Sequence, residues 1–114
     1  MSWVKVCALG ELTPEVGVAA LVAGEQVALF YLPALAHGEQ SGLFALDNWD
    51  PHGEAFVISR GIVGDLGEVP CVASPLYKHH YALADGRCLE DPGVALRAWA
   101  VRVDNDQVYI QARS

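Results

Sequence analysis

The chain lacks what a nucleic-acid-binding, membrane-spanning or disulfide-stapled protein needs. Only seven of its 114 residues are Lys or Arg, against fourteen Asp or Glu, a formal net charge of −7. Phosphate backbones are held by clusters of Lys and Arg, so nucleic acid is excluded as a partner and an anionic membrane surface is disfavoured. Cysteine occurs three times, at Cys7, Cys71 and Cys88, with no Cys-x-x-Cys pair. That is not a disulfide framework, and free cysteine otherwise behaves as a small buried hydrophobe. Long apolar runs are missing as well. The longest candidate, VGVAALVAGEQVALFYLPALA, is interrupted by Gly24, Glu25 and Gln26, and a bilayer span takes ~20 consecutive apolar residues. The start, MSWVKVCALGEL, has none of the charged, apolar and cleavage regions of a secretory signal. A cytoplasmic protein without a membrane partner is the expectation.

What is present is hydrophobicity in short pieces. Apolar residues make up 53% of the chain, above the ~45–50% of an ordinary globular sequence. A single domain over residues 1–114 is expected, large enough to bury one core. The periodicity is two rather than 3.6, the signature of strands. WVKVCAL alternates Trp3, Lys5 and Cys7 against Val4, Val6 and Ala8. VAALVAGEQVALFYL reads as two strands about a Gly24-Glu25 turn, with glycine in the first central position. The second of these strands is apolar on both faces, which makes it a central one.

Pro33 stops that strand, and Gly38 and Gly42 loosen the loop that follows. GLFALD and PCVAS are further short strands. KHHYALADGRCL reads as a hairpin about Asp85-Gly86, and AWAVRVDNDQVYIQAR as another about Asp104–Asp106. In the last, Trp99, Val101 and Val103 share one face, as do Val108, Ile110 and Ala112. LTPEVG and DPGVALRA could each supply one turn of helix, but neither is long enough for a stable one. About nine short strands punctuated by turns imply an all-β antiparallel sandwich or small barrel.

Two loops carry chemistry-bearing residues in a suggestive order. The first, ALDNWDPHGEAFVISRG, holds Asp50 and His52 two residues apart; the second, CVASPLYKHHYALADGRC, holds Ser74, Tyr77, His79 and His80. Their arrangement, each after a short apolar strand and the second leading into a hairpin, resembles the Rieske iron–sulfur fold, in which two loops converge at one tip. In that family the first loop bears Cys-x-His and the second Cys-x-x-His, two thiolates on one iron and two imidazoles on the other. Laid onto this chain, Asp50 and Ser74 stand at the cysteine positions, and His52 and Tyr77 at the histidine positions. Three of the four ligands are therefore changed. Carboxylate and hydroxyl oxygens are poor substitutes for the soft thiolates a 2Fe-2S cluster requires. Cys71, three residues before Ser74, falls on a strand.

This degenerate pattern, with FALDNWDPHGEAFVISRGIVGDLGE, VASPLYKHHYALADGRCLED and AVRVDNDQVYIQAR, is similar to the small-subunit family of assimilatory NADH-dependent nitrite reductase (NirD type) over roughly residues 3–112. The resemblance implies a non-catalytic accessory chain that binds no cofactor itself. It would dock on a large subunit carrying sirohaem, a 4Fe-4S cluster, FAD and an NAD(P)H site, which reduces nitrite to ammonium in nitrate assimilation. No Gly-x-Gly-x-x-Gly or four-cysteine set for such cofactors is visible here. The converging loops are expected to gather Trp49, His52, Phe56, Leu76, Tyr77 and His79, either as a partner surface or as packing between the loops.

Other readings remain open on the residues alone. Asp50 and His52 with His79, His80 or Cys71 could hold a metal, although His79 and His80 on a strand face opposite ways. Ser74, His52 and Asp50 have the composition of a hydrolytic triad. Asp50 could instead cap its loop by accepting backbone N–H groups, and Arg60 could pair with Glu54. A Rieske-type 2Fe-2S ferredoxin with unusual ligands and a free-standing protein-binding module are the alternative functions.

Overall fold

The computed structural model describes residues 2–37 and 41–113; of the expected 33–42 loop, residues 38–40, Gly38 among them, lie outside the described residues. Twelve short strands form among those residues, and every pairing is antiparallel. β1 (Trp3–Ala8), β12 (Gln107–Gln111) and β11 (Val101–Asp104) make one sheet in the order β1-β12-β11. A four-stranded sheet follows the order β10-β4-β3-β2, from Ala98–Trp99, Leu43–Asp47, Glu25–Tyr31 and Val18–Val22. A third sheet, β7 (Ile62–Leu66), β8 (Val69–Ala73) and β9 (His80–Ala82), lies between and beside the two loops. A small ribbon of β5 (Trp49–Asp50) and β6 (Ala55–Phe56) sits inside the first loop.

The alternation of β3 explains the layering. Its side chains point alternately to opposite faces. Ala28 and Phe30 enter a core with Leu46, Ile58, Val72, Tyr81 and Leu83. Val27 and Leu29 enter another with Ala45, Trp99, Val108 and Ile110. All four of these β3 residues are fully buried. A strand buried on both faces has no polar face to show, as its sequence predicts.

Several local expectations need correction. Val22 pairs with Glu25, so the first hairpin turns on Ala23-Gly24, one residue earlier than the expected Gly24-Glu25. Both residues have positive φ, 49° and 83°. That is the mirror-image turn whose twist matches the strands, with glycine in its second central position. Ala98 and Trp99 pair with Leu46 and Ala45 of β4, whereas Val101 onward pairs with β12. The chain thus changes sheets at Ala100, although Trp99 shares the core of Val108 and Ile110. Neither Leu12–Gly17 nor Asp91–Ala98 is helical. Each makes one three-residue return, Val16 N–H to the Thr13 carbonyl (3.2 Å) and Val94 N–H to the Asp91 carbonyl (3.0 Å), before the chain extends. A lone turn fixes several dihedral angles for one hydrogen bond and does not propagate. The β7–β8 hairpin, turning on Gly67-Glu68, had no clear sequence signal, because β7 is mostly exposed and has no alternating apolar face.

Candidate functional site

The two loops do converge. Gly53 on the first lies close against the second: a Cβ there would lie 2.6 Å from Cδ1 of Leu76 and 3.2 Å from Oδ2 of Asp50. The base of the first loop is braced by Asn48, a buried residue that sequence reasoning passed over. Its amide donates to Oε1 of Gln26 (3.2 Å), and its side-chain oxygen accepts from the Ser59 N–H (2.8 Å). Beyond it, Trp49 and Asp50 are neighbours on β5 and so face opposite sides. Asp50 points into the protein and is fully buried; Trp49 points out.

Asp50 is the centre of a hydrogen-bonded network. The Ser74 hydroxyl donates to its Oδ2 in a short contact, and the His52 N–H donates to its Oδ1 at 2.9 Å. The Gly53 N–H and the Tyr81 hydroxyl, the latter 3.2 Å from Oδ1, complete the donor set. Ser74 and Tyr81 are themselves buried, and the Ser74 oxygen accepts from the Leu76 N–H at 3.2 Å. Burial alone would raise the pKa of the Asp50 carboxyl. The donors from Ser74, His52, Gly53 and Tyr81 outweigh it and hold the group below its ordinary 3.8. Burial, with Asp50 alongside, pushes the Tyr81 phenol far above its ordinary range, so it stays protonated.

His52 extends the network outward. Its Nδ1 lies 2.7 Å from the Tyr81 oxygen and its Nε2 3.3 Å from Oδ2 of Asp91. Donor accounting gives three arrangements, one of them a neutral His52 protonated at Nδ1 that donates to Tyr81 while Tyr81 donates to Asp50 and the Asp91 link opens. A doubly protonated His52 donates to both Tyr81 and Asp91 while Tyr81 donates to Asp50, closing every link. A neutral His52 protonated at Nε2 accepts from Tyr81, and the Tyr81–Asp50 link opens. The His52 ring also stacks on His79, 3.6 Å between centroids and 4° from parallel. His79 Nδ1 is buried without a partner. His80, the first residue of β9, pairs with Glu90 at 2.5 Å, whereas His79 precedes the strand.

These residues do not suit a 2Fe-2S cluster. At the two thiolate positions, Asp50 and Ser74 are bonded to each other and are oxygen donors. Tyr77 is 76% exposed and takes no part in the network. The thiols offer no replacement. Cys71 is buried on β8 opposite Gly64 and Ala82, Cys88 is buried opposite Tyr81, and Cys7 is half-buried on β1 rather than fully buried. Burial raises the Cys71 and Cys7 thiols, disfavouring the thiolates a metal needs. Among the described residues no three His, Cys, Asp or Glu side chains are grouped to hold a metal ion. The triad geometry also fails: Ser74 is bonded to the carboxylate instead of the imidazole, and it is 1% exposed. Glu54 and Arg60 form no ion pair among the described residues.

The six expected surface residues fall into two groups. His52, Leu76, Tyr77 and His79 belong to the loop tip. Trp49 and Phe56 pair across the β5–β6 ribbon, edge to face with centroids 4.9 Å apart. Together with Leu21 they line a groove whose polar rim is Glu25, Asp47 and Arg97. Leu21, Tyr81 and Asp91 were not singled out as site residues from sequence. Inward alternation on β9 could have found Tyr81; Asp91, returning to the tip from a distant turn, carried no signal.

Known proteins resemble this arrangement over its whole extent. The family model described as Rieske-like [2Fe-2S] domain matches residues 2–111. The nitrite reductase (NADH) small subunit of Salmonella typhimurium is 38% identical over 109 residues, 96% of this chain and 96% of that protein. The nitrite reductase [NAD(P)H] large subunit of Klebsiella oxytoca is 41% identical over 108 residues, 95% of this chain; the match spans only 11% of that longer protein. Among solved structures, the E. coli protein NirD superposes with a TM-score of 0.84 at 36% identity, covering 99% of this chain and 98% of that one.

Proposed function

We propose, from the premise that this chain belongs to the Rieske-like 2Fe-2S domain family and within it to the nitrite reductase (NADH) small subunits, that it is the accessory small subunit of such an enzyme. The near end-to-end relation to a small subunit, 96% of both chains, carries this reading. The partner is the large subunit, and the reaction served is reduction of nitrite with electrons from a nicotinamide cofactor. Sirohaem, the 4Fe-4S cluster, FAD and the NAD(P)H site belong to that large subunit. The chain acts as a single-domain cytoplasmic protein without catalytic activity of its own.

The chain binds no 2Fe-2S cluster in this reading. The Asp50–Ser74 pair supports it, since two mutually bonded oxygen groups take the place of two thiolates. The tip is instead held by hydrogen bonds. A ferredoxin with unusual ligands would need sulfur donors that Cys71 and Cys88, both buried, do not supply. Docking draws on part of the expected set Trp49, His52, Phe56, Leu76, Tyr77 and His79, of which Trp49 and Phe56 stand exposed beside each other.

The test is reconstitution. Purified large subunit is mixed with this chain, and co-elution and nitrite-dependent NADH oxidation are followed. Co-elution together with an increase in turnover is expected. Failure to co-elute, with turnover unchanged, would return the chain to the class of free-standing binding modules.

A further inference from the structure

We infer that the large subunit docks in the groove of Leu21, Trp49 and Phe56, and not on the tip formed by the converging loops. This rests on the small-subunit reading above. The three side chains are 67%, 39% and 49% exposed and line one concavity. Adjacent large hydrophobics left in water mark a surface that is covered elsewhere in the protein's life. Trp is also among the residues that most often anchor an interface.

The rim of the groove narrows the occupant's chemistry. Arg97 bridges the Asp47 carboxylate (2.9 Å) and Glu25, and the Trp99 indole N–H donates to Asp47 at 2.8 Å. Arg97 offsets one of the two carboxylates and leaves the rim one negative charge, so the groove calls for an apolar segment without an acidic residue of its own. A second copy is the less suitable occupant, because each copy carries a net charge of −7 and like-charged chains repel. The Klebsiella relationship supplies the positive argument. A segment resembling this chain lies within one large-subunit polypeptide, so a domain of this kind is tethered beside the catalytic part. The tip offers less. His52 and His79 are stacked on each other, and His52 is bonded to Tyr81 and Asp91. Of the large hydrophobic side chains described there, Tyr77 is the one that stands exposed.

The test measures the dissociation constant of purified, cofactor-loaded large subunit for this chain and its variants. Leu21→Asp and Trp49→Ala should each weaken binding by about 30-fold, the scale of an interface anchor. Tyr77→Ala should change it by less than about 3-fold, the scale of a near-neutral interface contact. Circular dichroism and urea melts confirm that each variant is folded, and Leu21→Asp, on an exposed edge-strand position, guards against a folding defect in Trp49→Ala. Wild-type binding with both groove variants unaffected, or with the loss confined to Tyr77→Ala, overturns the inference alone. No binding by the wild type overturns the small-subunit reading and this inference with it. A dimer of the free chain that Leu21→Asp dissociates would give the groove to a second copy, also overturning it.

Discussion

Trp49 and Asp50 are successive residues of one two-residue strand, and they head two unlike regions. On the Asp50 side, polar groups are buried and meet one another: carboxylate, serine hydroxyl, phenol and imidazole form a connected set. On the Trp49 side, apolar groups stand in water beside a rim whose charges are paired. The first region has satisfied its own needs except at His79 Nδ1 and serves to hold two loops together. The second is incomplete without something to cover it. On the inference drawn above, the loop tip is the structural end and the groove beside it is the surface for the large subunit.

The comparison breaks most visibly at Asp50. Asp50→Ala leaves several buried donors without an acceptor, and by analogy with breaking a buried charge network should cost about 3–5 kcal/mol in urea unfolding. The large-subunit affinity of the fraction still folded should stay as it was. An Asp50→Ala protein as stable as the wild type would remove the brace from the account.

Acid tests the same group without mutation. The folded-state pKa of Asp50 lies below its ordinary 3.8, so its ionised form stabilises the fold. That contribution is complete above the unfolded value and is lost as pH falls through the folded one. Stability measured from pH 6 downward should therefore decline below about pH 4. In Asp50→Asn the part of the decline due to this group should be absent, so the gap between the two proteins narrows in acid.

The groove side is sharpened by the opposite pattern. Trp49→Ala should lose about 2 kcal/mol of binding to the large subunit, while losing only the ~0.5–1.5 kcal/mol of an aromatic pair in stability. Stability and affinity then separate by residue, one on each side of β5. Smaller still is Tyr81→Phe. It keeps the ring in the core and deletes the hydroxyl between His52 and Asp50, which should cost about 1 kcal/mol in a urea melt. Smallest is Arg97→Gln at the half-exposed rim, where the pairs with Asp47 and Glu25 are worth ~0–1 kcal/mol and weaken with salt.

Much of the fold was legible because period two is a strong signal in a chain with few long side-chain runs of one kind. β3 shows it best: four consecutive apolar residues feed two cores by turns, and their sequence alone marks a central strand. The hairpin ends at Asp104–Asp106 and near Asp85-Gly86 were legible from turn chemistry. What was not legible depends on partners distant in the chain. Nothing in AWAV says that Trp99 pairs with β4 and Val101 with β12. β7, exposed along most of its length, has no apolar face to read. The candidate site divides the same way. The nearness of Asp50, His52 and Ser74 followed from the resemblance of two loops, and their burial followed only from the packing. Placing Trp49 beside His52 overlooked that Trp49 and Asp50, adjacent on β5, face apart, so that only Asp50 points toward His52, and Leu21 belongs to the groove only because the β2–β3 hairpin runs past the ribbon.

The most direct test of the central claim, that hydrogen bonds have replaced iron in holding the loops together, is the iron content and visible spectrum of the chain purified without exposure to oxygen. The account predicts a colourless, fully folded protein with no bound iron and an unchanged melting curve in the presence of chelator. Two irons per chain, with thiolate-to-iron absorption and a melt that collapses on chelation, would contradict it.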